Sequence, residues 1–306
     1  MRKKWFIFAS NKIYNMNFKS LKEKCYYFRD LCDHRLMPNS YVLVMVDGRS
    51  FSNKIKSKFG KPFDTDFINM MNETARYVCN NIGGVKFAYT QSDEISFVIT
   101  DFDTPDTDST FGFRLCKLQS IIASLVTCKF NQLMYMYELG KERDTVFSDD
   151  KDIAVFLGEL PMYQFDCKCW NVPNENEVYS WFLFRQLDCI RNSKQQASQT
   201  YLPHCMLVGK KCDEQIALLK AEKGIDWDDY NDGEKYGRFV AKKLFVAEMT
   251  DYKGIPMKVE RMKFSVEQGF PIHDEEGKRA VLGMMSLPKP VTADKRQEAD
   301  ESDNKN

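Results

Sequence analysis

The sequence predicts an α+β fold built on an antiparallel sheet with helices on one face, and three observations carry that prediction. Short apolar or alternating runs of strand type are interleaved with longer stretches of helical periodicity. Two of the strand runs lie close enough to form a hairpin, and the elements follow one another as strand, helix, hairpin, helix, strand, helix.

Taken in order, residues 18–36 set Phe18, Leu21, Cys25, Phe28, Leu31 and Cys32 at helical spacing, and Pro38 and Asn39 stop that helix. Tyr41 to Val46 reads as a buried strand. Residues 64–81 open on Asp64 and Thr65 as caps and place Phe67, Met70, Met71, Thr74 and Val78 on one side, before Gly83-Gly84 ends the helix. Val85 to Tyr89 and Ile95 to Thr100 form the hairpin, whose turn holds Gln91 to Glu94. Asp101 to Thr110, rich in aspartate and containing Pro105, is a loop. A long helix over 111–138, a strand over Met162 to Val172 and a helix over 174–200 complete the readable part. This order is that of a ferredoxin-like or polymerase-palm sheet. The expected organisation is an N-terminal extension (1–17), a palm-like catalytic domain (18–170) and an additional helical and C-terminal region packed on it (171–290). A disordered tail of mainly charged residues (291–306) closes the chain.

Composition narrows the class of protein. The 23 Phe, 14 Tyr and 4 Trp residues can supply a sizeable core, while no apolar run reaches the roughly 18 to 20 residues of a membrane span. Arg2-Lys3-Lys4 and the apolar residues after it imitate a signal peptide, but the apolar stretch is shorter than the about 7 to 15 residues of a real one. Ten cysteines are scattered without a C-x-x-C pair, which fits reduced thiols in a cytoplasmic protein better than disulfides or zinc. The one close pair, Cys167-x-Cys169, is expected to send its thiols to opposite faces of its strand. With 44 basic and 44 acidic residues the formal charge is zero, so any nucleic-acid surface must be local. Lys54, Lys56, Lys58 and Lys61 are one such cluster, and Arg185, Arg191 and Lys194 another.

Two acidic motifs carry the chemistry. Asp47-Gly48 ends the first strand, and Ser92-Asp93-Glu94 occupies the hairpin turn. Neighbouring acids repel unless a cation neutralises them, and carboxylates brought together make an oxygen-rich site for Mg²⁺ of the kind that phosphoryl and nucleotidyl transfer uses. Asp47 and Asp93 are therefore the candidate metal ligands, the Gly48 carbonyl a further one, and Glu94 an acid acting from behind them. Backbone N–H groups over Arg49, Ser50, Phe51 and Ser52 are expected to face triphosphate oxygens. Arg114 and Lys117, at i and i+3 on one helix face, are candidates for phosphate contacts. The isolated His34, His204 and His273 give no support to a Ser-His-Asp or Cys-His hydrolase.

These residues resemble the tRNA-histidine guanylyltransferase family. The resemblance rests on Val44 to Phe51, Lys61-Pro62, Ala88 to Phe97, the Arg114/Lys117 pair, Phe165 to Lys168 and Trp181 to Asp188 with Arg185-Gln186, in unbroken order over about residues 18–245. It implies a 3′-to-5′ nucleotidyltransferase that adds nucleotides to the 5′ end of tRNA: ATP adenylylates the 5′-monophosphate, and the 3′-hydroxyl of an incoming nucleoside triphosphate, GTP or another, then expels AMP. By the same resemblance Asp47, Gly48 and Asp93 bind two Mg²⁺ ions with Glu94 in support. Arg49 to Ser52 and Ser92 hold a triphosphate, and Lys61, Arg114 and Lys117 contact phosphates. Arg185, Arg191, Asn192 and Lys194 are expected to face tRNA, and a homotetramer is expected from the family's habit.

One departure sets the branch. Eukaryotic members that add a single G carry His-Ile-Asn-Asn after the Arg-Gln-x-Asp-Cys segment, whereas this chain has Ile190-Arg191-Asn192-Ser193. That pattern resembles the branch that repairs 5′-truncated tRNA under Watson-Crick templating, with nontemplated G addition to histidine tRNA as the alternative. Templated addition takes its selectivity from base pairing, so the protein need recognise only backbone and shape. A nucleotide cyclase is disfavoured because the hairpin lacks a Gly-Gly-Asp/Glu-Glu-Phe turn, and a catalytically inactive tRNA-binding protein because both acids are present.

Overall fold

A computed structural model of the chain describes residues 18–51, 55, 58–141, 155, 158–250 and 256–286. The segments 1–17 and 291–306, expected to be an extension and a tail, lie outside these residues, as do Ser52, Lys54 and Lys56.

Local chemistry sets the element ends. Helix α1 (Leu21–Asp30) starts where the Ser20 hydroxyl accepts the Glu23 amide. Strand β1 (Tyr41–Gly48) is followed by α2 (Thr65–Asn81), whose Asp64 cap accepts the Asp66 and Phe67 amides at 3.0 Å. The hairpin is β2 (Val85–Gln91) and β3 (Glu94–Ile99), after which α3 (Leu115–Lys141) leads to β4 (Phe165–Val172). Next come α4 (Glu175–Tyr201), capped by Asn174, and α5 (Cys212–Lys223), ended by Gly224 at φ 67°. Two strands, β5 (Arg238–Thr250) and β6 (Pro256–Gln268), and helix α6 (Glu275–Gly283) follow.

The six strands form one sheet in the order β4-β1-β3-β2-β5-β6, every neighbouring pair antiparallel. Its first four strands have the ferredoxin-like connectivity predicted from the sequence. Because side chains alternate along a strand, one face of β1 and β3 presents Val42, Val44, Val46, Ile95, Phe97 and Ile99. These pack with Met71 and Val78 of α2 and Ile122, Val126 and Phe130 of α3. The other face presents Leu43, Phe87, Tyr89 and Val98, which the additional helical region covers with Val178 and Phe182 of α4 and Val281 of α6. No helix among the described residues is long and apolar enough to cross a membrane.

Two features differ from the sequence reading. Strands β5 and β6 were not expected: only Arg238 to Ala241 of β5 pair with β2, and the rest of this ribbon pairs with β6 alone, so it lacks the buried face that writes a clear alternation into a sequence. Cys167 and Cys169 do not face opposite ways. Residues two apart in a strand share a face, and the two sulfurs lie 3.8 Å apart.

The entry to β5 also requires a glycine. Gly237 sits at φ 78°, and a Cβ there would lie 2.4 Å from the hydroxyl oxygen of Tyr89, which donates to the Tyr236 carbonyl at 2.8 Å. Gly237→Ala is expected to cost about 1–3 kcal/mol of stability, measured by denaturant titration, from left-handed backbone strain combined with this clash.

Candidate active site

Strand register brings the acids together. Asp47 on β1 faces Glu94 on β3 and Asp166 on β4, and directly opposed residues of an antiparallel pair share a face, so these carboxylates form a row across three strands. Asp93 precedes Glu94 in the turn and points elsewhere: its Oδ2 lies 2.8 Å from where a Cβ on Gly48 would stand. Gly48 therefore lets the two acidic motifs close on each other. Ser50 (φ 58°) and Ser92 (φ 47°), just beyond β1 and in the hairpin turn, both hold the left-handed conformation that non-glycine residues seldom adopt. A methyl at Gly48 would also meet the Phe51 ring at 2.4 Å, so Gly48→Ala is expected to displace Asp93 and cut turnover about 100-fold or more. Steady-state kinetics beside a circular dichroism spectrum that matches the wild type would check this.

The electrostatics are those of a site that wants a cation. Desolvation, and then the charge of Asp166, hold the Asp47 carboxyl above the usual range, opposed by the Gly48 amide, Lys168 and Arg185. Asp93 is raised first by desolvation, with the Asp47 charge adding and a hydrogen bond from the Ser92 hydroxyl at 2.9 Å opposing. Among the described residues no three His, Cys, Asp or Glu side chains converge into a closed metal cage. Asp47, Asp93 and the Gly48 carbonyl make a sparse, all-oxygen set instead. Such a set fits Mg²⁺, which takes one or two carboxylates and fills its shell with water and substrate phosphate.

Glu94 has a different occupation. The Arg185 guanidinium donates to both of its oxygens, Nε to Oε1 at 2.7 Å and Nη2 to Oε2, and reaches Asp188 at 3.1 Å. Arg191 pairs with the other oxygen of Asp188, extending the chain of charges to the surface. Desolvation raises the Glu94 carboxyl and Arg185 opposes that shift. Glu94 thus acts on the site by anchoring the hairpin from behind, next to Asp93.

A cleft of about 560 Å³ opens beside the acids, a volume suited to a small-molecule ligand. Its lining includes Lys61 to Asp64, Ser92, Asp93, Asn192, Ser193, Gln196 and Arg238. Asp47 is not part of that lining, being one strand over.

Other expected site residues are placed variously. The Phe51 ring is 3% exposed and packs at 4.8–6.5 Å from Phe67, Phe130, Tyr163 and Phe165, so it is a core residue that also lines the cleft. The Arg49 amide, expected to face phosphate, donates to the Gln164 carbonyl at 2.8 Å. Arg114 and Lys117 are not brought to the acids. The segment before them is tied by Thr110 to Gly83 and by Ser109 to Asp101, at the far end of the sheet, roughly 20 Å along β1 at about 3.3 Å per residue. There Arg114 pairs with Asp33 and Lys117 lies over the Phe111 ring. Arg185, expected on the RNA side, is 9% exposed and turned onto Glu94. Lys194 is paired with Asp213, whereas Arg191 is largely exposed and Asn192 faces the cleft. Lys58 pairs with Glu138. The sequence reading missed Asp166, although an acid alternating with apolar residues in a strand is a usable signal, and Arg238, whose strand was itself unread.

A palm-type sheet carrying an acid pair at the ends of β1 and the hairpin is an arrangement suited to nucleotidyl transfer. The tRNAHis guanylyltransferase (Thg1) profile matches residues 23–173. The tRNA(His) guanylyltransferase of Debaryomyces hansenii is 27% identical over 248 residues, 76% of this chain and 86% of that protein. A bacterial Thg1-like protein in complex with ATP superposes with TM-score 0.70 at 28% identity, over 88% of this chain and all of the other. One in complex with GTP gives 0.66 at 27% identity over the same shares. Over these residues the chain is similar to the tRNAHis guanylyltransferase family.

Proposed function

We propose that this chain is a Mg²⁺-dependent 3′-to-5′ nucleotidyltransferase that repairs the 5′ end of truncated tRNA by templated addition. The reading is carried by one observation: Asn192 and Ser193, within the run that replaces the eukaryotic His-Ile-Asn-Asn, line the same cleft as Asp93. Of the positions where this chain departs from the single-G enzymes, Ser193 is a wall of the candidate active site. Ile190, which stands where those enzymes carry histidine, packs as a partly buried residue in the apolar cluster around Trp227. A neutral apolar side chain there offers no hydrogen bond with which to select one nucleotide, leaving selection to base pairing.

On this reading Asp47, Asp93 and the Gly48 carbonyl hold the cations, which when bound would neutralise phosphoryl charge and activate the attacking oxygen. Glu94 and Arg185 keep the hairpin acid in place, and Ser92 and Lys61 meet the triphosphate of ATP or of the incoming nucleotide. Arg191, exposed at the surface end of the charge chain, meets the tRNA backbone. Assembly into a homotetramer belongs to the same reading, supported by α1, which buries none of its residues and leaves Leu21 and Phe28 about half or more exposed.

The deciding assay supplies 5′-truncated tRNA, ATP, Mg²⁺ and each labelled nucleoside triphosphate in turn. The expected product is extended only by the nucleotide complementary to the opposing base. Addition of G irrespective of that base would instead establish nontemplated guanylylation, and no product from any nucleotide would count against catalysis altogether.

A further inference from the structure

Arg238 is the first residue of β5, paired in register with Thr90, two residues before the hairpin turn that carries Asp93. It is 8% exposed and lines the cleft together with Ser92, Asp93 and Lys61. Unlike the other buried cations here, it has no partner: among the described residues its guanidinium makes no hydrogen bond, ion pair or ring contact. Arg185 is forked on Glu94, Lys86 is held by Asp103, and Lys235 donates to the Asp228 carbonyl at 2.9 Å. Glu234, the acid whose charge bears on it, is occupied in capping its helical turn, where it accepts the Asn231 amide.

The guanidinium is thus largely desolvated, opens only on the cleft and lacks an anion, a costly arrangement that a bound anion would relieve. Desolvation accordingly pulls the Arg238 pKa below its ordinary value, with Cys189, Glu234 and Tyr89 opposing only in part. The wall around it is also cut to leave that group room. A Cβ at Gly233 would meet Gln268 Oε1 at 1.9 Å and the Arg238 Nε at 3.0 Å. The planar fork of an arginine matches phosphate oxygens in pairs, and a cleft of about 560 Å³ has room for a nucleotide but not for a duplex.

We propose that Arg238 is a phosphate-binding residue of this cleft, supplying the anion contact opposite Asp93. The inference deepens the functional reading by assigning a phosphate contact but does not need templated addition to be true. The phosphate can come from a free nucleoside triphosphate or from the 5′ end of an RNA, and binding separates the two.

The test measures equilibrium affinities, without turnover, of full-length wild type and Arg238→Gln for ATP against adenosine, and for a short 5′-phosphorylated RNA against its 5′-hydroxyl form. The expected result is a loss of about 10- to 100-fold for one phosphorylated ligand with its dephosphorylated counterpart unchanged, the scale of a lost charged hydrogen-bond pair. Loss confined to ATP assigns the free nucleotide, and loss confined to the 5′-phosphorylated RNA assigns the RNA end. Because removing an unpaired buried charge relieves desolvation, the ligand-free variant should melt no lower than wild type, which a merely structural arginine would not allow. Should Arg238→Gln fail to fold, the unpaired-charge argument is contradicted directly. Arg238→Lys, which keeps the charge and loses the fork, should then still show a several-fold loss if phosphate binding is the role. Wild-type discrimination of phosphate in both variants would overturn the proposal, whatever the extension assay shows.

Discussion

Replacing Asp93 by asparagine is expected to lower nucleotide addition by at least about a thousandfold while leaving the fold intact. On the proposed reading the carboxylate would hold cations that neutralise phosphoryl charge, an effect of several kcal/mol, and each 1.36 kcal/mol is a factor of about ten in rate. The change should not destabilise the ligand-free protein. Desolvation and the Asp47 charge hold the Asp93 carboxyl above its ordinary value, so the folded state binds more protons than the unfolded chain. The stability tied to this group is present below the ordinary carboxylate range and falls as pH rises through the raised folded value; asparagine escapes that loss. Melting curves from pH 4 to 8 beside single-turnover rates would check both halves, and Asp47→Asn should behave alike. Near-wild-type turnover in either variant would remove these residues from the chemistry.

Arg185→Ala is expected to have the largest effect on stability, about 3–5 kcal/mol by denaturant titration. Arg185 and Glu94 are about a tenth exposed or less, and truncating one partner strands a buried carboxylate that had two charged donors. Asp188 suffers less, because it is more exposed and keeps Arg191. The double variant Arg185→Met with Glu94→Gln should recover much of the loss, since removing both charges ends the desolvation penalty. A single-variant loss under about 1 kcal/mol would mean that the ion pair does not hold the hairpin.

How much of this could be read in advance depended on burial. The strand before Asp47 and the hairpin around Asp93 are packed on both faces, so their apolar runs are strong, and the acids that interrupt them are conspicuous. The β5–β6 ribbon could not be read because most of it has neighbours only within the ribbon, and Arg238 was lost with it. Charged residues were the least legible. Helical spacing placed Arg185, Arg191 and Lys194 together, but spacing alone cannot tell a guanidinium turned inward onto Glu94 from one turned outward to a ligand. Arg114 and Lys117 failed for another reason: proximity to the acids is a matter of which end of the sheet a helix starts from, and that depends on the Thr110 and Ser109 contacts rather than on the pair itself.

The central claim is that Asp47, Gly48 and Asp93 jointly hold divalent cations. It is met most directly by titrating Mg²⁺ into the protein with ATP present and following the melting temperature of wild type, Asp47→Asn and Asp93→Asn. The account predicts a saturable rise in wild type that both variants lose, by mass action of a ligand bound only to the native state. An equal rise in all three proteins, or none in wild type, would contradict it.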